Sequence, residues 1–278
     1  MMGSMAAFTL NDAMTKTTGG EVPLFQLLFL RGLISISLLL LLWGRLGPMH
    51  LRLSRQDWKL VGIRSASEVG ASFFFVTALF NMPLANLSAI LQSLPLTVTL
   101  GAAMFYREAV GWKRMSAILV GFMGVLLIVK PGTEGFNVWS VYALVAVLLV
   151  TVRDLTTRRL SRDVPSMTVT LAAVLSVTVF SAFAQLATPW AAVSDAHWTA
   201  IGGAAVFVLM GYYFSVQTMR VGDVSFIAPF RYTGLIWALI LGWFVFGDWP
   251  LPSTLAGAGI VAATGLFTLY RERKLSRS

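Results

Sequence analysis

Cysteine is absent from the 278 residues, which excludes disulfides and thiolate metal sites. Histidine is nearly absent. His50 and His197 both fall in predicted loops, so neither a histidine-based metal site nor a catalytic triad is expected. Charge is scarce as well: 12% of the chain is Asp, Glu, Lys or Arg, where a soluble domain carries about 25%. A nucleotide-binding loop of the G-x-x-x-x-G-K-[ST] type is missing, so the chain is not itself an ATP-driven pump. No connecting segment is long enough to hold a soluble domain. No charged start followed by a short apolar core and a small-residue cleavage site is found, so no cleavable signal peptide is expected.

Apolar length is what the chain has in abundance. It is 57% hydrophobic with mean hydropathy +0.77, so most apolar side chains are expected to face lipid. A helix needs roughly 20 apolar residues to cross a bilayer core. Ten such stretches are found, near 1–18, 22–43, 58–80, 84–106, 112–130, 137–160, 165–187, 197–219, 224–247 and 252–271. Helix-stopping residues separate them at Gly19-Gly20, Gly47-Pro48, Lys130-Pro131-Gly132 and Trp249-Pro250. The net charge of +9 is distributed unevenly. Alternate loops and the tail hold Arg45, Arg52, Arg55, Lys59, Arg107, Lys113, Arg114, Arg158, Arg159, Arg162, Arg220, Arg271, Arg273, Lys274 and Arg277, whereas the other loops hold only Lys16 and Lys130. By the positive-inside rule both termini are cytoplasmic, and the excess of basic residues implies no nucleic acid partner.

The stretch LNDAMTKTTGGEVP at residues 10–23 recurs as VRDLTTRRLSRDVP at 152–165. A shift of 142 places Asn11-Asp12 on Arg153-Asp154, Thr15 on Thr157, Lys16 on Arg158 and Pro23 on Pro165. A shift of 140 places Trp58 on Trp198, Ala85 on Ser225, Ser93 on Thr233 and Glu108 on Asp248. A near-constant offset along five helices indicates duplication. Five is odd, so the second copy enters the membrane upside down. Inverted repeats of this kind build many secondary transporters, with substrate near the midplane between the halves. The predicted fold is an all-α integral membrane protein of ten transmembrane helices in two five-helix inverted-topology repeats, 1–130 and 131–278. The first helix is short. Its match to the sixth would start about five residues before Met1, so a shortened or altered start is expected, with a short tilted helix as the alternative.

Two five-helix units, each with an acid after its fourth helix, resemble the EamA-type members of the drug/metabolite transporter superfamily across nearly the whole chain. Within it the sequence looks closest to the YddG-type amino-acid exporters of bacterial inner membranes. That resemblance implies export of amino acids, aromatic ones included, with toxic organic cations as further candidate cargo. It also implies a multi-pass inner-membrane location and no cofactor.

Seven charges lie deep in predicted spans: Asp12, Arg31, Arg64, Glu68, Arg153, Asp154 and Arg231. Charges at such depth are costly and face a cavity or a partner. Arg64 and Glu68, four apart, are placed to pair. Arg153 and Asp154 stand within about two turns of a helix end, where they either snorkel, pair or gate. Asp12 is their inverted counterpart, so the two aspartates mark matching ends on opposite sides of the membrane, where alternating gates belong. Glu68 is the candidate proton-coupling carboxylate, although an ionised partner at Arg64 argues against that role.

Polar groups also recur at helical spacing. Ser88 and Gln92 precede a kink at Pro95, and Thr99 follows it. Tyr213 and Gln217 stand four apart on the eighth helix and match Phe73 and Thr77 of the third; Arg231 and Tyr232 follow Pro229 on the ninth. The expected substrate cavity is therefore lined by Phe73, Thr77, Ser88, Gln92, Tyr213, Gln217, Arg231 and Tyr232, with Arg231 receiving a carboxylate. Asp12, Glu68, Arg153 and Asp154 are the candidate gating charges. Core packing is the plainer alternative for each aromatic. Trp190, Trp198, Trp243 and Trp249 fit interfacial anchors. The glycines of GFMGV (121–125) and AGAG (256–259) allow close helix packing, within one chain or between two. A monomer is expected, with a dimer as the alternative. A secondary transporter for a small molecule fits best. The alternatives are a membrane-embedded enzyme or a channel handling a lipid-linked or other small metabolite.

Overall fold

The structure, a computed structural model, describes residues 1–42, 50–107, 111–130, 137–161, 163–221 and 228–275. Gly47-Pro48, Pro131-Gly132, Glu108, Ser225, Arg45, Arg162 and Arg277 lie outside the described residues, as do the side chains of Gln217, Arg220, Pro229, Arg271, Arg273 and Lys274. Among the described residues eleven α-helices follow one another: α1 (Met2–Thr17), α2 (Leu24–Leu41), α3 (Arg55–Asn81), α4 (Leu84–Leu91), α5 (Leu94–Tyr106), α6 (Trp112–Val129), α7 (Val138–Arg158), α8 (Ser166–Gln185), α9 (Asp195–Val221), α10 (Thr233–Phe246) and α11 (Pro252–Leu275). A 3₁₀ turn, Ala228–Tyr232, leads into α10. Seven spans are long and apolar enough to cross a membrane, with α4 and α5 counted together over Leu84–Tyr106. The short α1, the 27-residue α9 and the 3₁₀ turn with α10 complete ten crossings.

Local chemistry sets the helix ends. The N-cap Ser54 accepts from the Asp57 backbone N–H at 3.0 Å, and its hydroxyl donates back to the Asp57 carboxylate at 2.7 Å. Asn137 caps α7 through Trp139 N–H at 2.9 Å. Pro23, Pro83 and Pro165 precede α2, α4 and α8, where their fixed φ suits helix entry. Gly247 closes α10 at φ 68°, a conformation that costs glycine little.

The fourth and ninth spans are not continuous. At the expected kink by Pro95 the helix loosens into two turn residues, Gln92-Ser93, that keep right-handed helical backbone, and Pro95 occupies the first turn of α5. The ninth span changes from 3₁₀ to α at Tyr232-Thr233, so Arg231 stands in the 3₁₀ turn rather than in a helix. The two breaks fall at the same place under the 140-residue shift.

Packing between the halves follows an exchange rule. α3 lies on α7 as α9 lies on α1, and α3 on α8 as α9 on α2. α1 meets α10 as α7 meets α4 and α5. The pairs α2 with α8, α4 with α10, and α6 with α11 map onto themselves. Swapping five helices for the other five therefore reproduces these contacts, which is the two-repeat inverted fold. At the α6–α11 crossing, a Cβ on Gly124 would meet the Gly257 carbonyl oxygen at 2.8 Å, so the two glycine motifs pack on each other within the chain. The main core gathers Leu79, Leu84, Leu87, Ile90, Leu96, Ile118, Val147 and Val261 on one side of the bundle. The second gathers Val22, Leu27, Leu28, Val76, Val177 and Ile201 on the other. Outward, Phe183 is 70% and Phe244 80% exposed, an apolar surface suited to lipid and not to water.

Candidate central cavity

The two broken spans meet α1 and α7 around a cavity of about 220 Å³. Met5, Phe8, Thr9 and Asp12 enter from α1, Ser88 and Leu91 from α4, and Arg153 and Asp154 from α7. Gln92 lines it at the first break, followed by Leu94 and Pro95 of α5; Arg231 and Gly234 line it at the second. The half-helices α5 and α10 thus begin beside the same space, each continuing a helical turn: Ser93 N–H donates to the Ile90 carbonyl, and α10 follows the 3₁₀ turn directly. Gly234 keeps the wall thin there: a Cβ would meet Gln92 Nε2 at 3.5 Å and Met5 Sδ at 3.7 Å.

Charge in the cavity is partly satisfied. Arg153 is clamped, with its Nη2 at 2.8 Å and its Nε at 2.9 Å from Asp154 Oδ1 and its Nη1 3.4 Å from Glu68 Oε1. Asp12 receives the Asn11 side-chain amide at 2.8 Å but has no cation within 4.0 Å among the described residues. Arg231 forms neither a hydrogen bond nor an ion pair with any described residue. The cavity therefore holds one guanidinium and one carboxylate with no ion pair within 4.0 Å among the described residues, Asp12 facing Arg31 across Asn11.

The predicted site residues divide cleanly. Asp12, Ser88, Gln92, Arg153, Asp154 and Arg231 come together at this cavity. Glu68 stands behind it, closer to Arg153 than to the expected partner Arg64, which lies 3.9 Å away and donates its Nε to Thr157 Oγ1 at 3.0 Å. Phe73 stacks on Phe25 with ring centroids 6.0 Å apart, and Thr77 donates to the Phe73 carbonyl of its own helix. Neither lines the cavity. Tyr213 is 43% exposed and faces outward; the neighbouring Tyr212 points inward and meets Phe8 edge-on at 5.3 Å. α9 is apolar around most of its circumference, so periodicity does not fix its inner face, and Tyr212 lines a neighbouring cavity and not this one. Tyr232 is buried behind the cavity against Gly265. Gln217's side chain is outside the described residues. Met5 and Phe8 were not predicted; both look like ordinary lipid-span residues, and only their place on the face shared with Asp12 could have marked them.

Two inverted five-helix units, each broken in its fourth span at a shared polar cavity, define a multi-pass secondary transporter. The chain belongs to the EamA-like transporter family, whose profile matches residues 1–130 and 137–270. Over 98% of its length it is 27% identical to the S-adenosylmethionine uptake transporter of Rickettsia felis, covering 91% of that protein. Over 82% of its length it is 28% identical to the riboflavin transporter of Vibrio cholerae, covering 76% of that protein. One solved crystal structure matches with TM-score 0.70 over 99% of this chain and 97% of its own, at 21% identity, which shows the shared fold. The protein is a transporter for a small molecule and not an enzyme.

Proposed function

We propose that this transporter carries a small organic solute with an amino-acid head group, its carboxylate on Arg231 and its ammonium on Asp12. The observation that carries the proposal is that Asp12 and Arg231 line one cavity and neither has an ion pair within 4.0 Å among the described residues. A desolvated guanidinium–carboxylate contact is worth roughly 1.5–3 kcal/mol, about ten- to a hundredfold in affinity. Phe8, Met5 and Leu91 suit a flat or apolar remainder, as in an aromatic amino acid. S-adenosylmethionine, which bears the same head group, fits the scheme; riboflavin, which lacks it, does not. The two repeats, 1–130 and 131–278, would rock about the cavity, with both termini cytoplasmic in a bacterial inner membrane. The direction follows the gradient, because the inverted frame serves both; amino-acid export is one use of it.

Counterflow in proteoliposomes tests this. Labelled tryptophan or S-adenosylmethionine should exchange, and Arg231→Leu should abolish exchange while the melting temperature holds. Arg231→Lys should restore part of it, because lysine lacks the planar fork. Exchange of riboflavin without exchange of either amino acid would overturn the proposal.

A further inference from the structure

A second cavity lies between α2, α3, α8 and α9, with a volume of about 70 Å³. Its polar lining includes Arg31, Arg64, Glu68, Ser72 and Tyr212. It adjoins the central cavity through two contacts. Glu68 on this side pairs with Arg153 on the other at 3.4 Å, and Tyr212 on this side meets Phe8 on the other edge-on at 5.3 Å. Each contact gives one member to each cavity, so one ion pair and one aromatic pair form a septum between neighbouring compartments.

The charge on this side is positive. Glu68 is the one acid lining the second cavity, and its nearest cation is Arg153 across the septum. Arg64 is 9% exposed, and its Nη1 is buried with no hydrogen-bond partner among the described residues, the nearest carboxylate oxygen being 3.9 Å away. Arg31 hydrogen-bonds only to neutral groups, the Asn11 side-chain oxygen at 3.5 Å and Thr15 Oγ1 at 3.4 Å, and the acids that act on its charge are Asp12, across Asn11, and Glu68. Two guanidinium groups thus face a small cavity whose single carboxylate is shared with a third.

We infer that the second cavity is a station for a compact monovalent anionic group held by Arg64 and Arg31, reached from the central cavity when the septum parts. The group is a carboxylate of the transported solute or a free halide. Only the first source rests on the amino-acid proposal above. The volume admits a carboxylate or a halide and excludes a whole solute of drug size.

The chain's lack of cysteine makes the test direct. Ser72→Cys places a single thiol in the station, which is then titrated with methanethiosulfonate reagents of similar size and opposite charge during turnover. The anionic reagent should react about tenfold faster than the cationic one, because two guanidinium groups outnumber the one carboxylate in the cavity lining and favour its approach. Adding Arg64→Gln should bring the two rates toward equality, and Arg64→Lys should retain the preference, which a purely structural role would not produce. Protection by tryptophan in chloride-free buffer assigns the site to a carboxylate. Protection by chloride alone assigns it to a free halide and upholds the station even if no amino acid is transported. Equal rates in the parent, a faster cationic reagent, failure of both reagents to react, or lack of protection by either anion would overturn it.

Discussion

Asp12 and Asp154 occupy the same place in the two halves, one shift of 142 residues apart, yet they have different neighbours. Asn11 precedes the first and Arg153 the second. Each neighbour donates to its aspartate, a neutral amide at 2.8 Å in one half and a guanidinium at 2.8–2.9 Å in the other. The carboxylate of the second half is neutralised within its own helix, and that of the first has only a neutral hydrogen-bond donor, with Arg31 beyond it. The next conserved slot in the frame differs in the same way. Lys16 sits 5.4 Å over the Phe246 ring and donates to the carbonyls of Leu79 and Met82 at 2.9 and 2.7 Å. Its counterpart Arg158 lies 6.0 Å from the Tyr106 ring, with Arg159 at 4.4 Å, and Tyr106 matches Phe246 under the 140-residue shift. Duplication gave one frame with two ends, and side-chain chemistry made the ends unequal: one is a compact ammonium locked onto backbone carbonyls, the other an exposed guanidinium–phenol stack.

The largest effect is expected where that lock is broken. Lys16→Met keeps the apolar stem but removes charge-assisted bonds to two carbonyls at the end of α3, each worth roughly 1.5–3 kcal/mol where desolvated, less at this partly exposed site. The melting temperature in detergent should fall by several degrees, and transport should fall with it. Phe246→Leu, which removes only the ring beneath the ammonium, should lower the melting temperature far less. Equal losses would mean that the ring and not the carbonyls holds the ammonium.

The aspartates separate binding from stability. Asp12→Asn should weaken binding of an amino-acid solute by about ten- to a hundredfold, the loss of one charge-assisted contact, with little change in melting temperature. Asp154→Asn should do the reverse. Arg153 then keeps only Glu68, so stability drops by about 1–2 kcal/mol after allowance for the partial exposure of the pair, while affinity changes less than about threefold. Isothermal titration with tryptophan, run beside thermal unfolding, reads both quantities. If Asp154→Asn proves the more damaging to binding, the assignment of the ammonium to Asp12 is wrong.

The frame was legible because membrane spans are set by apolar length and by where basic residues fall, both of which survive in a single sequence. The ten spans, the repeat offset and the deep charges at Asp12, Arg153, Asp154 and Arg231 all follow from that. The contacts that give those charges their roles were not legible. Glu68 and Arg153 are 85 residues apart, and only the packing of α3 on α7 sets the acid closer to Arg153 than to Arg64, four residues away on its own helix. Tyr212 was missed for Tyr213 because α9 lacks a polar stripe to fix its phase. The kink was legible from Pro95, whereas its exact place, at Gln92-Ser93, was not.

The smallest effect tests the weaker end. The Tyr106 hydroxyl donates to the Leu155 carbonyl in α7, and its ring carries the Arg159 guanidinium at 4.4 Å. Tyr106→Phe removes the hydrogen bond and keeps the cation–π contact, copying the aromatic residue at the matching position, Phe246. A single neutral hydrogen bond is worth about 0.5–1.5 kcal/mol, and Leu155 keeps its helix. The melting temperature should drop slightly. Arg159→Ala removes the cation–π contact instead and should cost about 0.5–1 kcal/mol, because Arg159 is exposed. The double variant then decides whether this end acts as one unit. If the hydrogen bond orients the ring beneath the guanidinium, the second loss is smaller once the first is made, and the two costs fall short of additivity by a few tenths of a kcal/mol or more. Strict additivity would show two independent contacts, leaving the Lys16 end as the one true lock of the pair.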